Sequence, residues 1–171
     1  MQIINRRILG IDPGLANTGW GILDIDKNKI IYIDHGVIST KADQPRAERL
    51  FFIMDSVRKI IEKYKPVEAA LEQLFFSKNV SSAIPVAEAR GVVSAVLAEK
   101  SIIVHEFTPN HIKKGVTGTA SADKAQVQNM VKVILGLDEV PKPDHAADAL
   151  ASAICAMAGS GTGSRINADL H

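Results

Sequence analysis

The sequence has little cysteine, few aromatic residues and almost no excess of charge. Its only cysteine among 171 residues is Cys155, so no internal disulfide forms and a reducing cytoplasm is expected. No apolar run approaches the roughly 20 residues that cross a bilayer, and the opening Met1–Arg7 lacks the apolar stretch of a secretion signal. No membrane association is expected. Lys and Arg number 20 against 19 Asp and Glu, so the net charge of +1 gives no support by itself for a nucleic-acid partner. No P-loop and no Gly-x-Gly-x-x-Gly segment occurs, which removes two common phosphate-cradling signatures.

Against these gaps stands an apolar content of 46%, enough to bury one substantial core. One domain over residues 1–158 is expected, with 159–171, which opens on glycine and serine, as a flexible tail. Ile8, Leu9 and Ile11 make Arg6–Asp12 a buried strand that runs into the turn signal Asp12-Pro13-Gly14. Trp20–Asp24 and Ile30–Ile38 read as two more strands, so the first three should form antiparallel hairpins. Leu50, Ile53, Met54, Val57, Ile60, Ile61 and Tyr64 fall at helical spacing over Arg46–Tyr64, and Pro66 ends that helix. Glu68–Glu72 is a short strand, Ser81–Lys100 a helix and Ser101–Phe107 a strand. Thr108 and Pro109 read as a cap and first turn. Gly115–Ala120 reads as a flexible loop, Ser121 as the cap of a helix to Leu135, and Asp144–Ala158 as a last, alanine-rich helix. The order predicts an α/β chain: a mixed sheet with helices on its faces.

Four residues could carry chemistry. Asp12 ends the first strand and Glu72 ends the fourth. His145 and Asp148 sit in the first turns of the last helix, beside Asp144, and spacings of three and four put them on adjoining faces. Singly, each acid has an ordinary reading: a turn residue, a strand-end charge, or an acid favoured at a helix N-terminus. As a set they predict more. If the first and fourth strands are parallel neighbours, Asp12 and Glu72 leave the sheet at one edge. The small, apolar face around Asp148 lets the last helix press on the sheet and bring Asp148 there. Several acids in one place repel unless cations bind. Oxygen donors suit Mg2+ or Mn2+, and a histidine tilts the set towards Mn2+. Two such ions about 4 Å apart activate water and stabilise the leaving oxygen in phosphodiester hydrolysis. That chemistry needs no side-chain nucleophile, and none is evident, since Cys155 falls mid-helix among core residues.

Candidate nucleic-acid contacts lie between the acids. Aromatic residues are 5% of the chain, so the pair Phe75-Phe76 directly after Glu72 carries weight as a stacking or wedging element. From His111 to Lys132 the lysines are Lys113, Lys114, Lys124 and Lys132, against the single acid Asp123. Such a run tracks a phosphate backbone; each lysine alone is equally a solvated helix face.

The sequence resembles the RuvC family of Holliday junction resolvases, from about Ile8 to about Ala158. The resemblance rests on Gly10-Ile-Asp-Pro-Gly14 with Thr18-Gly-Trp-Gly21, on Glu72–Asn79, on Ala89-Arg90-Gly91, on Ser121–Val127 and on Asp144–Leu150. Gly-Ile-Asp-Pro-Gly alone is weak; the five segments in this order are highly specific. The resemblance implies an RNase H-like fold with a mixed five-stranded sheet, and a homodimer that nicks two symmetric strands of four-way junction DNA. It implies two Mg2+ ions per site, with Mn2+ able to substitute, held by Asp12, Glu72, His145 and Asp148. His145 stands where some members carry aspartate, which leaves open whether it binds metal or activates water. It further implies DNA contacts by Phe75, Lys78, Arg90, Lys113 and Lys124, and the branch-migration proteins RuvA and RuvB as partners. Asp144 is read as a residue that caps the last helix or supports the metal ligands from behind.

Three other readings fit less well. A nucleotide phosphotransferase with a similar first strand needs two such domains, and 171 residues supply one. A non-catalytic junction-binding module has no need of the acids. An RNase H-like nuclease acting on another branched DNA or on a hybrid leaves the Phe75 loop without a role.

Overall fold

The computed structural model describes residues 6–27, 29–74 and 80–157. Alternation with a period of two sends Leu9 and Ile11 of strand β1 (Arg6–Asp12) to one face of a sheet and Ile8 to the other. All three are buried, so β1 is covered on both faces. Strands β2 (Asn17–Asp26) and β3 (Lys29–Ser39) follow as antiparallel hairpin partners. Strands β4 (Glu68–Glu72) and β5 (Ile103–Phe107) add on the other side of β1, both parallel to it. The five-stranded mixed sheet has the order β3-β2-β1-β4-β5.

Helices cover both faces. The stripe Ile53, Val57, Ile61 of α1 (Arg46–Tyr64) and Val93, Val96, Leu97 of α2 (Val80–Glu99) packs on Leu9, Ile11, Ala69 and Leu71. On the opposite face α3 (Pro109–Thr117), α4 (Lys124–Leu135) and α5 (Asp144–Met157) close over Ile8, Leu23, Ala70 and Phe107. No described helix is long and apolar enough to cross a membrane.

The position of α5 is set by glycine. A Cβ placed on Gly10 would stand 1.9 Å from the Ala149 carbonyl oxygen, one on Gly19 1.9 Å from that of His145, and one on Gly21 2.4 Å from Leu150 Cδ2. These three residues make a trough across β1 and β2 in which the alanine-rich helix lies backbone to backbone. The close approach expected of its small face is thus matched by the sheet beneath it.

Helix Arg46–Tyr64 and strand Glu68–Glu72 have the boundaries expected of them. Strand β2 starts at Asn17, three residues before the expected Trp20, β5 starts at Ile103, two after the expected Ser101, and two further segments differ in kind. Gly115–Thr117 is the last turn of α3 rather than loop, because Ile112 and Val116 continue one buried stripe and Gly115 gives room to Cys155 Sγ. The αL residue that stops the helix is Gly118, with φ of 83°. The cap of α4 is Asp123, not Ser121. Asp123 accepts from the Gln126 amide while the Gln126 side chain accepts from the Asp123 amide, a reciprocal box that serine two residues earlier does not provide. The tail expected over 159–171 lies outside the described residues.

Candidate active site

Parallel pairing sets Ile11 opposite Leu71, so the next residues, Asp12 and Glu72, leave the sheet side by side. Across the hairpin Asp12 is paired with Gly19, the residue on which the His145 carbonyl rests. The trough therefore delivers the start of α5 to the edge where the two acids emerge. His145 Nδ1 lies 2.7 Å from Asp12 Oδ2. One helical turn on, Asp148 Oδ2 stands 3.1 Å from Lys124 Nζ, and the same ammonium is 3.5 Å from Asp144 Oδ2. Lys124 is the first residue of α4, where the Asp123 capping box fixes the helix start.

The electrostatics are those of a crowded acidic site. Burial holds the Asp12 carboxyl above its ordinary value; the His145 hydrogen bond opposes this and the charge of Asp148 adds to it. Glu72 is raised as well, by desolvation and then by Asp12 and Asp148, with Lys113 and Arg90 pulling the other way. Glu72 and Asp148 line two adjoining clefts. One is completed by Lys113, Lys124, Ile112 and Val127, the other by Asp12, Gln73, Leu74 and Arg90. A polyanion laid along the first would meet the ammonium groups of Lys113 and Lys124 beside acids.

Among the described residues no three His, Cys, Asp or Glu side chains converge tightly enough to enclose a metal ion. Asp148 is paired with the Lys124 ammonium and Asp12 with His145. The donor chemistry nonetheless fits a hard divalent cation: three carboxylates and an imidazole, with two carboxyls raised by burial and mutual repulsion that a cation would relieve.

Asp12, Glu72, His145 and Asp148 thus meet at one edge, and Lys113 and Lys124 line the cleft beside it. Phe75 and Lys78 lie outside the described residues. Arg90, expected to contact DNA, lines the second cleft but is largely buried there. Its side chain is 14% exposed, and its guanidinium bonds the Glu72 carbonyl oxygen and the Glu106 carboxylate. Sequence reasoning passed over Glu106, an acid in an apolar strand whose partner lies 16 residues away. It also gave no role to Asp144 as a second partner of Lys124.

A mixed sheet with paired acids at the ends of β1 and β4, faced by an acid-bearing helix, defines an RNase H-like fold. The yeast mitochondrial Holliday junction resolvase shares it, with a TM-score of 0.64 at 16% identity over 90% of this chain and 79% of that one. A family model described as crossover junction endodeoxyribonuclease RuvC matches residues 8–156. A protein of that name from Treponema denticola is 56% identical over 147 residues, 86% of this chain and 83% of the relative. The structure of Thermus thermophilus RuvC in complex with Holliday junction substrate superposes with a TM-score of 0.83 at 32% identity, covering 88% of this chain and 92% of that one. The chain belongs to the RuvC family of crossover junction endodeoxyribonucleases, enzymes that act on phosphodiester bonds.

Proposed function

We propose that this chain resolves four-way (Holliday) DNA junctions by paired, symmetric nicks, through metal-dependent phosphodiester hydrolysis in recombination and repair. The observation that carries the reading is the meeting of Asp12 and Glu72, at the ends of two parallel strands, with His145 and Asp148 from α5. Oxygen donors of this kind suit Mg2+, with Mn2+ able to substitute. Two bound ions would supply an activated water and neutralise the leaving oxygen.

The chain's own residues do the rest. The sheet fixes the Asp12 and Glu72 carboxylates. Bonded to Asp12 through one ring nitrogen, His145 keeps the other for metal or for a water's proton. Lys113 and Lys124, beside Glu72 and Asp148, take the phosphates flanking the cut. Phe75 enters the junction and Lys78 contacts DNA beside it. A homodimer presents two such sites to two strands, and RuvA and RuvB act with it. Support for a covered surface comes from Phe51, Phe52 and Ile84, large apolar side chains exposed on α1 and α2.

The test is cleavage of a synthetic four-way junction against linear duplex in Mg2+, Mn2+ and EDTA. Paired nicks in the junction alone, abolished by EDTA and by Asp12→Asn, are expected. Equal cutting of duplex would defeat the reading. Sedimentation at micromolar concentration tests the dimer, and a monomer would defeat that part.

A further inference from the structure

Arg90 stands beside the catalytic edge, yet its bonding is that of a brace. It projects from α2 with 14% side-chain exposure. Nη1 donates to the Glu72 carbonyl oxygen at 2.5 Å, and Nη2 pairs with the Glu106 carboxylate on β5. Glu72 is the last residue of β4, opposite Phe107, and the Gln73 amide donates to the Phe107 carbonyl at 2.7 Å. The register of β1 with β4 ends one residue earlier, at Leu71. At Glu72 the chain therefore has strand support on its β5 side only, and Arg90 supplies the partner its carbonyl needs. A guanidinium suits the task because its planar fork serves two acceptors at once, which an ammonium on a flexible stem does poorly.

We propose that Arg90, held by Glu106, is a positioning residue that fixes the backbone at Glu72 and so aims the Glu72 carboxylate into the site. This rests on the reading of Glu72 as a metal-binding acid. The leverage is geometric: rotation about the strand-end backbone swings the whole side chain, and a misplacement of about 1 Å in an active site costs on the order of 100-fold in rate. Arg90 also lines the cleft, but two of its three guanidinium nitrogens already bond groups of the protein.

The test uses the full chain with Arg90→Gln, Arg90→Lys and Glu106→Gln. Each variant is measured for junction affinity and its salt dependence without divalent metal, for cleavage at saturating junction, and for Mn2+ binding to the DNA-free protein by calorimetry. Arg90→Gln is expected to bind junction within about twofold of the parent with an unchanged salt slope. Its cleavage and its Mn2+ affinity should each fall by roughly 10- to 100-fold, the range seen when a group that orients a metal ligand is removed. Glu106→Gln should show the same pattern, more weakly, and Arg90→Lys should recover part of it. If Arg90→Gln fails to fold, the other two variants carry the same comparison. Loss of junction affinity with a shallower salt slope would make Arg90 a phosphate contact and overturn the proposal. Unchanged Mn2+ binding and cleavage would overturn it as well. A parent enzyme that binds Mn2+ but leaves junctions uncut would count against the proposed function, while the Mn2+ comparison still decides the role of Arg90.

Discussion

His145 Nδ1 and Asp12 Oδ2 are hydrogen-bonded across 2.7 Å, joining α5 to β1 at the point where the sheet ends. The bond exists because Gly19, the neighbour of Asp12 on β2, lets the His145 backbone rest on the sheet. His145 acts here by position and by donor capacity, and the two separate experimentally. Aspartate at this position supplies oxygen donors in place of nitrogen. His145→Asp should keep most Mg2+-supported cleavage, whereas His145→Ala should lose roughly 10- to 100-fold, as for other groups that ligate or orient a metal. Rates at saturating junction in Mg2+ and Mn2+ check this. An inactive His145→Asp with normal junction binding would point to proton transfer by the imidazole.

Glu72 carries a second prediction, on stability as well as rate. Desolvation, Asp12 and Asp148 hold its carboxyl above the ordinary value. Between the unfolded and folded values the folded chain binds more protons, so this contribution makes stability fall as pH rises through that window and costs stability above it. Glu72→Gln should therefore raise Tm in EDTA at pH 7, by about 1–3 °C given the solvent screening of this exposed side chain. The gain should vanish at a pH below the ordinary glutamate value. The same variant should bind junctions and fail to cut them. Thermal melts at two pH values, with and without Mg2+, test it; a Tm loss in EDTA at pH 7 would contradict the crowding argument.

Much of this arrangement is legible in the chain because the elements that build the edge are punctuated locally. A seven-residue stripe and Pro66 delimit α1, and Asp-Pro-Gly marks the end of β1. The acids are legible because they end strands or open a helix, positions that sequence pattern fixes. Direction is what sequence withholds. Nothing local to Arg90 says that its guanidinium bonds the Glu72 carbonyl and the Glu106 carboxylate. Gly115 reads as a loop residue because its reason, room for Cys155 Sγ, lies on another helix. The same holds for Ser121, whose claim to cap α4 is beaten by the reciprocal bonds of Asp123 and Gln126.

The glycine trough gives a third prediction. An alanine at Gly19 would put its Cβ 1.9 Å from the His145 carbonyl oxygen, backbone that cannot swing aside. Overpacking of this kind costs roughly 1–3 kcal/mol. Gly19→Ala should therefore lower Tm by several degrees and, by lifting the start of α5, reduce cleavage even where the protein remains folded. Gly91→Ala is the control. Its Cβ would meet nothing within 4 Å on helix α2, so it should be neutral or stabilising by about 0.5–1 kcal/mol. Equal behaviour of the two variants would remove the trough from the account.

Lys113 and Lys124 line one cleft but differ in what they touch. Lys113 flanks Glu72 there, while Lys124 is bonded to Asp148 and paired with Asp144. Both should contribute to junction binding through phosphate, so Lys113→Ala and Lys124→Ala should each weaken binding and reduce the salt slope by about one. Only Lys124→Ala also frees an acid. Its ammonium competes for the Asp148 carboxylate, so in the DNA-free protein the variant should bind Mn2+ more tightly than the parent, by up to about tenfold, while cutting more slowly. Lys113→Ala should cut more slowly without that gain. Calorimetric Mn2+ titration beside single-turnover cleavage separates the two lysines. A Lys124→Ala protein with unchanged Mn2+ affinity would mean that the ammonium does not occupy ground a metal ion needs.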